Sequence, residues 1–403
     1  MFLFARPWGA RTPDPQGPQD LKSQRAAPRQ GPNEAPSNAA PAVGRGRSGV
    51  ASDTGRYRNF DTLRLWAAVA VVLSHSFLIA TGTEDGDLFK VLTGEVAGFY
   101  AVQVFFVLSG FLVTRSRFAC DSSWDYTRRR FLRVYPAYAV SVLLVFLLVP
   151  FPIDGVGAHL ADERTWRNLL RTLAADSTRA KVPEFTYYDA PVGESLNPVY
   201  WTIEAEVLLY LLVGLLYALR LLTLPGCLFF LVLAIWVRLF APFADDLHRW
   251  ALQYGAPGFF SGAVMWFVFR HHRPRAWIAA LLAVVTLAGI FLSDATRVLF
   301  PVFAAYPLLW LGSRGAPDLG NWTRAGDLSY GIYLFGWPVQ QMIRSITGPM
   351  EGWSFFFLCL GPVLLAGWLS WHLIERPALR LKAGAGVTPP GRRAGETAGR
   401  RPS

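Results

Sequence analysis

Residues 59–80 read NFDTLRLWAAVAVVLSHSFLIA. A polar stretch from Asn59 to Arg64 leads into nine apolar residues, Leu65 to Leu73, and apolar character resumes after Ser74-His75-Ser76. A run of this length suits a helix crossing a hydrocarbon layer of about 30 Å, which takes about 20 residues. A core helix of a soluble protein would carry a polar stripe instead. Outward from this stretch the pattern recurs in apolar blocks of roughly 17 to 23 residues. Ten spans are predicted, at about 61–80, 97–114, 133–150, 197–219, 224–241, 255–270, 276–293, 297–312, 327–346 and 353–373. The chain is therefore expected to be all-α, a polytopic integral membrane protein with about ten transmembrane helices.

Composition agrees. Of 403 residues, 52% are hydrophobic and 17% charged, against roughly 25% charged in an average soluble protein. The net charge of +11 comes mostly from arginines between apolar blocks and at the termini. Such charge sets topology beside anionic lipid, and no nucleic-acid partner is expected. With the N-terminus placed in the cytoplasm, Arg56 and Arg58, Arg115 and Arg117, Arg128 to Arg130 with Arg133, Arg220, Arg270 to Arg275, Arg314, Arg324 and the tail from Arg376 all fall inside. The short outer loops then hold only Lys90, Arg249 and Arg297. Both termini are thus expected to be cytoplasmic, in a cell (inner or plasma) membrane, with one large outer loop at 151–196 that shapes an acceptor site.

Residues 1–55 are rich in Pro, Gly, Ala, Gln and Arg and are expected to be a disordered tail, unless the true start lies downstream. Arg6, Pro7 and Arg11 interrupt the place of a signal-peptide apolar region. Residues 56–382 form the transmembrane domain, and 383–403 a second disordered tail. Cys120, Cys227 and Cys359 form no CxxC motif and read as small buried residues. No metal site is expected: His271-His272 has no third ligand in sight, and His159, His248 and His372 are isolated.

Ionisable residues inside spans are costly and mark function or a buried pair. Arg64 and His75 are eleven residues apart. That spacing returns to within about 20° of the same helix face after three turns, with a rise of about 16 Å. A long donor with an anionic end at Arg64 and a reactive end at His75 fits it, as coenzyme A thioesters do. Histidine suits the general base for a hydroxyl. An interfacial arginine and a core histidine satisfied by a neighbouring helix fit it too. Ser109-Gly110 reads as a close helix contact. Arg130 and Arg133 face one way on a helix, to hold a phosphate-rich donor or to anchor the cytoplasmic end. Glu206 falls near mid-membrane, where pairing with Arg64 or His75 would stabilise it. Glu204, nearer the outer interface, need not be buried.

In order along residues 59–381, these clusters resemble the acyltransferase 3 family of membrane O-acyltransferases. Its Arg-x10-His signature matches Arg64 and His75, its "FFVLSGFL" stretch Phe105 to Leu112, and its "RRRFLRVYP" stretch Arg128 to Pro136. Its Trp-Ser/Thr-Leu-x-x-Glu element is similar to Trp201-Thr202-Ile203-x-x-Glu206. Its "SYGIYLxHxP" element resembles Ser329 to Pro338, and its Ile-Glu-x-Pro terminus Ile374 to Pro377. Gly336 stands where many members carry histidine, which would leave His75 to act alone.

The resemblance implies transfer of an acyl group, most often acetyl from acetyl-CoA, to a hydroxyl of a carbohydrate or glycolipid-type acceptor. Arg64, Arg130 and Arg133 would bind the acyl-CoA and His75 would act in transfer. Glu206 would orient His75, and Trp201, Tyr330 and Tyr333 would contact substrate. Direct attack and an acyl-histidine intermediate are both open. The alternative is a transporter or flippase of a lipid-linked or glycan substrate. Against it, no inverted repeat or pair of Gly/Pro-broken spans is evident.

Overall fold

The computed structural model describes residues 59–148, 160–181, 195–240, 247–293, 297–313, 316–320 and 326–383. The expected tails, apart from Ala383, and much of the 151–196 loop lie outside these residues. Among the described residues the structure is helical, with no β-strand. In chain order the helices are α1 (Phe60–Thr81), α2 (Leu88–Thr93), α3 (Ala97–Phe118), α4 (Ser123–Leu148), α5 (Glu163–Leu173), α6 (Tyr200–Ala218), α7 (Leu224–Phe240), α8 (Leu247–His271), α9 (Ala276–Ile290), α10 (Phe300–Gly312), α11 (Ser329–Thr347), α12 (Gly352–Ser370) and α13 (Arg376–Ala383). A π-helical turn, Trp371–Glu375, joins the last two.

Every expected span falls on a helix, but among the described residues five helices are long and apolar enough to cross a membrane: α1, α3, α4, α6, and α12 with its continuation. The count of ten is not borne out by length and hydropathy. α7, α9 and α10 have 17, 15 and 13 residues, which at 1.5 Å each reach only about 20 to 26 Å. α11 is long enough but carries Gln340, Gln341 and Arg344.

Helix α1 is held by α3, α11 and α12, and α3 lies along α8. Glycine makes the closest of these contacts. A methyl group on Gly110 of α3 would collide with the Phe259 carbonyl, and one on Gly262 of α8 with the Val107 carbonyl. The Ser109-Gly110 pair therefore does what its small size predicts: the two backbones touch. α1 ends at Gly82, whose left-handed conformation (φ 84°) lets its N–H donate to Leu78 O at 3.0 Å.

Two segments meet at a proline. Pro338 in α11 has no N–H for the Leu334 carbonyl four residues back. That carbonyl accepts instead from Asn197 Nδ2 at 2.8 Å. Asn197 is fully buried just before α6, so a side chain ahead of α6 satisfies the backbone defect inside α11. The three cysteines are free and buried, as expected.

Candidate active site

Arg64 and His75 do lie along one continuous helix, and each lines its own cavity. The first cavity, of about 100 Å³, is walled by Arg64, Arg130, Arg133, Ser109, Glu206, Tyr210, Tyr330 and Tyr333 among others. The second, of about 490 Å³, is walled by His75 with Ser74, Trp201, Tyr254, Tyr333 and Trp337. Val102 and Tyr333 belong to both walls. At their junction the Tyr333 hydroxyl lies 2.8 Å from Thr202 Oγ1. The two cavities are thus neighbours, with Val102 and Tyr333 common to both walls.

The arginine end is an ion-pair cluster. Arg133 Nη2 donates to Asp327 Oδ2 at 2.5 Å, and Arg64 Nη1 lies 3.7 Å from the same oxygen. Arg64 also donates to Asp61 Oδ1 at 3.2 Å. Glu375 stands 3.7 Å from Arg133 Nη1 and accepts from Ser370 Oγ at 2.9 Å. Ser329 Oγ donates to Asp327 Oδ1 at 2.5 Å, fixing that carboxylate from the end of α11. Arg130 donates to Ser116 Oγ at 3.3 Å and lies over the Tyr210 ring, while its Nε is shut away without a partner among the described residues. The Tyr330 hydroxyl donates to the Val134 carbonyl at 2.9 Å. These guanidinium groups suit phosphate oxygens.

At the other end the His75 ring meets the Trp337 ring edge-on, centroids 4.9 Å apart. Its neighbour Ser74 is locked in place: Ser74 Oγ donates to buried Asp87 Oδ2 at 2.7 Å and accepts from Gly98 N at 2.8 Å. Asp87 also caps α2, accepting from Phe89 N at 2.8 Å. Ser195, at the described end of the 151–196 loop, lines this cavity as well.

One expectation fails, and Glu204 takes a burial the sequence did not require. Glu206 pairs with neither Arg64 nor His75 among the described residues. Its Oε1 accepts from Ser109 Oγ at 2.7 Å and from the Tyr210 hydroxyl. It lines the arginine cavity and not the His75 cavity, and hydroxyl donors rather than an opposite charge stabilise it. Glu204 is buried, because the turn at Ser177–Arg179 folds back over it and Ser177 donates to it through N at 3.1 Å and through Oγ at 2.5 Å. The sequence alone also missed Asp327, Tyr210 and Trp337. Asp327 could have been suspected as a lone carboxylate opening the α11 motif. Trp337 sits beside Gly336, whose own position faces Val72 and Val363 between α1 and α12.

Among the described residues no cluster of three or more His, Cys, Asp or Glu side chains suits a metal ion. A family model described as an acyltransferase domain matches residues 57–372. The chain is 26% identical over 336 residues to an O-acetyl transferase of Shigella phage Sf6, covering 79% of this chain and 94% of that protein. It is 28% identical over 360 residues to nodulation protein 10 of Rhizobium leguminosarum bv. viciae, covering 82% and 95%. It is 29% identical over 157 residues to acyltransferase MdmB of Streptomyces mycarofaciens, covering 39% and 38%. No solved structure matches the chain.

Proposed function

The chain belongs to the acyltransferase 3 family, an enzyme family of acyl transfer, and from that premise we propose that it moves an acyl group, foremost acetyl, from acyl-CoA to a hydroxyl of a carbohydrate or glycolipid-type acceptor. One observation carries the reading: Arg64 and His75, about 16 Å apart along α1, line two neighbouring cavities that share Val102 and Tyr333 in their walls. The donor's phosphates lie against Arg64, Arg130 and Arg133, and its thin arm threads the narrow cavity to bring the thioester to His75. Asp327 and Glu375 hold Arg64 and Arg133 in place.

His75 takes the proton of the acceptor hydroxyl as that oxygen attacks the thioester carbonyl. The carbon–sulfur bond then breaks, and the CoA thiolate recovers the proton from the imidazolium. The Tyr333 hydroxyl, at the junction, donates to the oxyanion of the tetrahedral intermediate. Trp201 and Trp337 supply ring faces for the acceptor in the wide cavity. Glu206 acts in the donor channel, through Ser109 and Tyr210, rather than on His75. The family and the phage O-acetyl transferase support transfer over the transporter alternative. Both termini are assigned to the cytoplasm, from which acyl-CoA is delivered.

The test is release of free CoA from acetyl-CoA by protein purified in detergent, with extracted glycan as acceptor, for wild type and His75→Ala. Acceptor-dependent release that disappears in the folded variant supports the proposal. No release by wild type across several acyl donors and acceptors defeats it.

A further inference from the structure

Eleven shut-away side-chain nitrogens and oxygens find no hydrogen-bond partner among the described residues, and five of them crowd into eight residues of α11. They are Trp337 Nε1, Gln340 Oε1, both amide atoms of Gln341, and Arg344 Nε. Native proteins leave few such groups, and a concentration of them asks for an occupant. Trp337, Gln341 and Arg344 are spaced four and three residues apart, which puts them on one helix face. Arg344 is the most telling. It is only 6% exposed, and no carboxylate pairs with it among the described residues. Arg64 and Arg133, by contrast, are each held by two carboxylates. A buried cation without a counter-charge is unfavourable, so Arg344 suits an anion supplied from outside the chain.

Its place in the bundle says which anion. α1 and α11 run parallel: Arg64 meets Asp327 at their N-terminal ends, His75 meets Trp337 midway, and Gln340 Nε2 donates to Val72 O at 3.0 Å and to Ser76 Oγ at 2.6 Å. Arg344 lies seven residues past Trp337, about 10 Å further along, and three residues from the end of α11. His75 therefore stands between two cationic sites, with the donor's arginines on one side and Arg344 on the other. Glu84, which lines the His75 cavity, is paired with Lys90 at 3.3 Å.

We infer that Arg344, with Gln341 and Trp337, forms an acceptor subsite for an anionic group, a phosphate or carboxylate, carried about 10 Å from the hydroxyl presented to His75. The inference rests on His75 as the transfer centre and adds that the acceptor is anionic. The phosphate of a lipid carrier and an acidic group on a soluble sugar share this chemistry.

Binding separates them without any need for turnover. Protein in phosphatidylcholine nanodiscs is titrated with glucose 1-phosphate and with glucose, following tryptophan fluorescence. In parallel, retention of phosphatidylglycerol and of phosphatidylcholine is compared by native mass spectrometry. Wild type is expected to prefer the anionic member of at least one pair by about tenfold or more, and the pair that responds identifies the source. Arg344→Gln should erase the preference and Arg344→Lys should keep most of it. Equal binding within both pairs by wild type, or an unchanged preference in Arg344→Gln, overturns the inference and leaves the orphaned groups to buried water. A protein that binds the anion but releases no CoA would fail the proposed function and not this site.

Discussion

Replacing Asp327 by asparagine tests the arginine cluster directly. The shape of the side chain is kept, and the amide oxygen of the substituted side chain can still accept hydrogen bonds, so the loss is mainly one negative charge. Asp327 is 11% exposed, and its partners Arg133 and Arg64 are 23% and 19% exposed. Breaking a fully buried pair costs about 3–5 kcal/mol, and an exposed pair is worth about 1 kcal/mol or less. The cluster lies between these limits, so Asp327→Asn should lower stability by about 2 kcal/mol. The loss should divide unevenly. Coulomb attraction falls as the inverse of distance, and 2.5 Å against 3.7 Å favours Arg133 by a factor of about 1.5. Arg64 also keeps Asp61 at 3.2 Å, nearer than the Glu375 that Arg133 keeps at 3.7 Å. Double-mutant cycles with Arg133→Gln and Arg64→Gln, read by SDS-driven unfolding in mixed micelles, should therefore give the larger coupling to Arg133. A stability within about 0.5 kcal/mol of wild type, or a larger coupling to Arg64, would refute the reasoning.

Four further outcomes are expected. Asn197→Ala strips the Leu334 carbonyl of its donor beside Pro338 and should cost about 1–3 kcal/mol in the same unfolding assay. Tyr333→Phe should leave the melting temperature nearly unchanged, because Thr202 Oγ1 still donates to Val199 O at 2.9 Å, while kcat falls by about tenfold to a hundredfold with little change in KM for acyl-CoA. Gly110→Ala forces a methyl group onto the Phe259 carbonyl and should prevent recovery of folded protein on size-exclusion chromatography, whereas Gly361→Ala, with open space around it, should behave as wild type. Glu351 caps α12 by accepting from Trp353 N and Ser354 N at 2.8 and 2.7 Å, and these N–H groups hold its carboxyl below the usual glutamate value. A depressed folded-state pKa stabilises the protein above the unfolded value of about 4.3 and loses that contribution as pH falls through the folded value. The gap in melting temperature between wild type and Glu351→Gln should thus be present at neutral pH and close below about pH 4.

The helices were legible in the sequence because a membrane span advertises itself by the length and polarity of one continuous segment. The ten apolar blocks and the observed helices coincide. The number able to cross was not legible to the same degree, since 13 residues in α10 and the polar Gln340, Gln341 and Arg344 in α11 fit a helix shielded by its neighbours as well as one facing lipid. Site residues divide in the same way. Arg64 and His75 share one helix, so their common face and separation follow from helical periodicity alone. Glu206 does not, and its real partners Ser109 and Tyr210 differ from the histidine and arginine that charge alone suggested.

By itself, then, the sequence determined the helical character, the positions of the segments, the arginine and histidine on α1 and the family resemblance, because each is written in local order along the chain. Tertiary structure decided that Glu206 faces the arginines, that Glu204 is buried under Ser177, that Asn197 mends the defect at Pro338, and that Arg344 stands without a counter-charge among the described residues. Those facts depend on which helix faces lie against which, and that is set by long-range packing between residues far apart in the chain, such as Gly110 against Phe259.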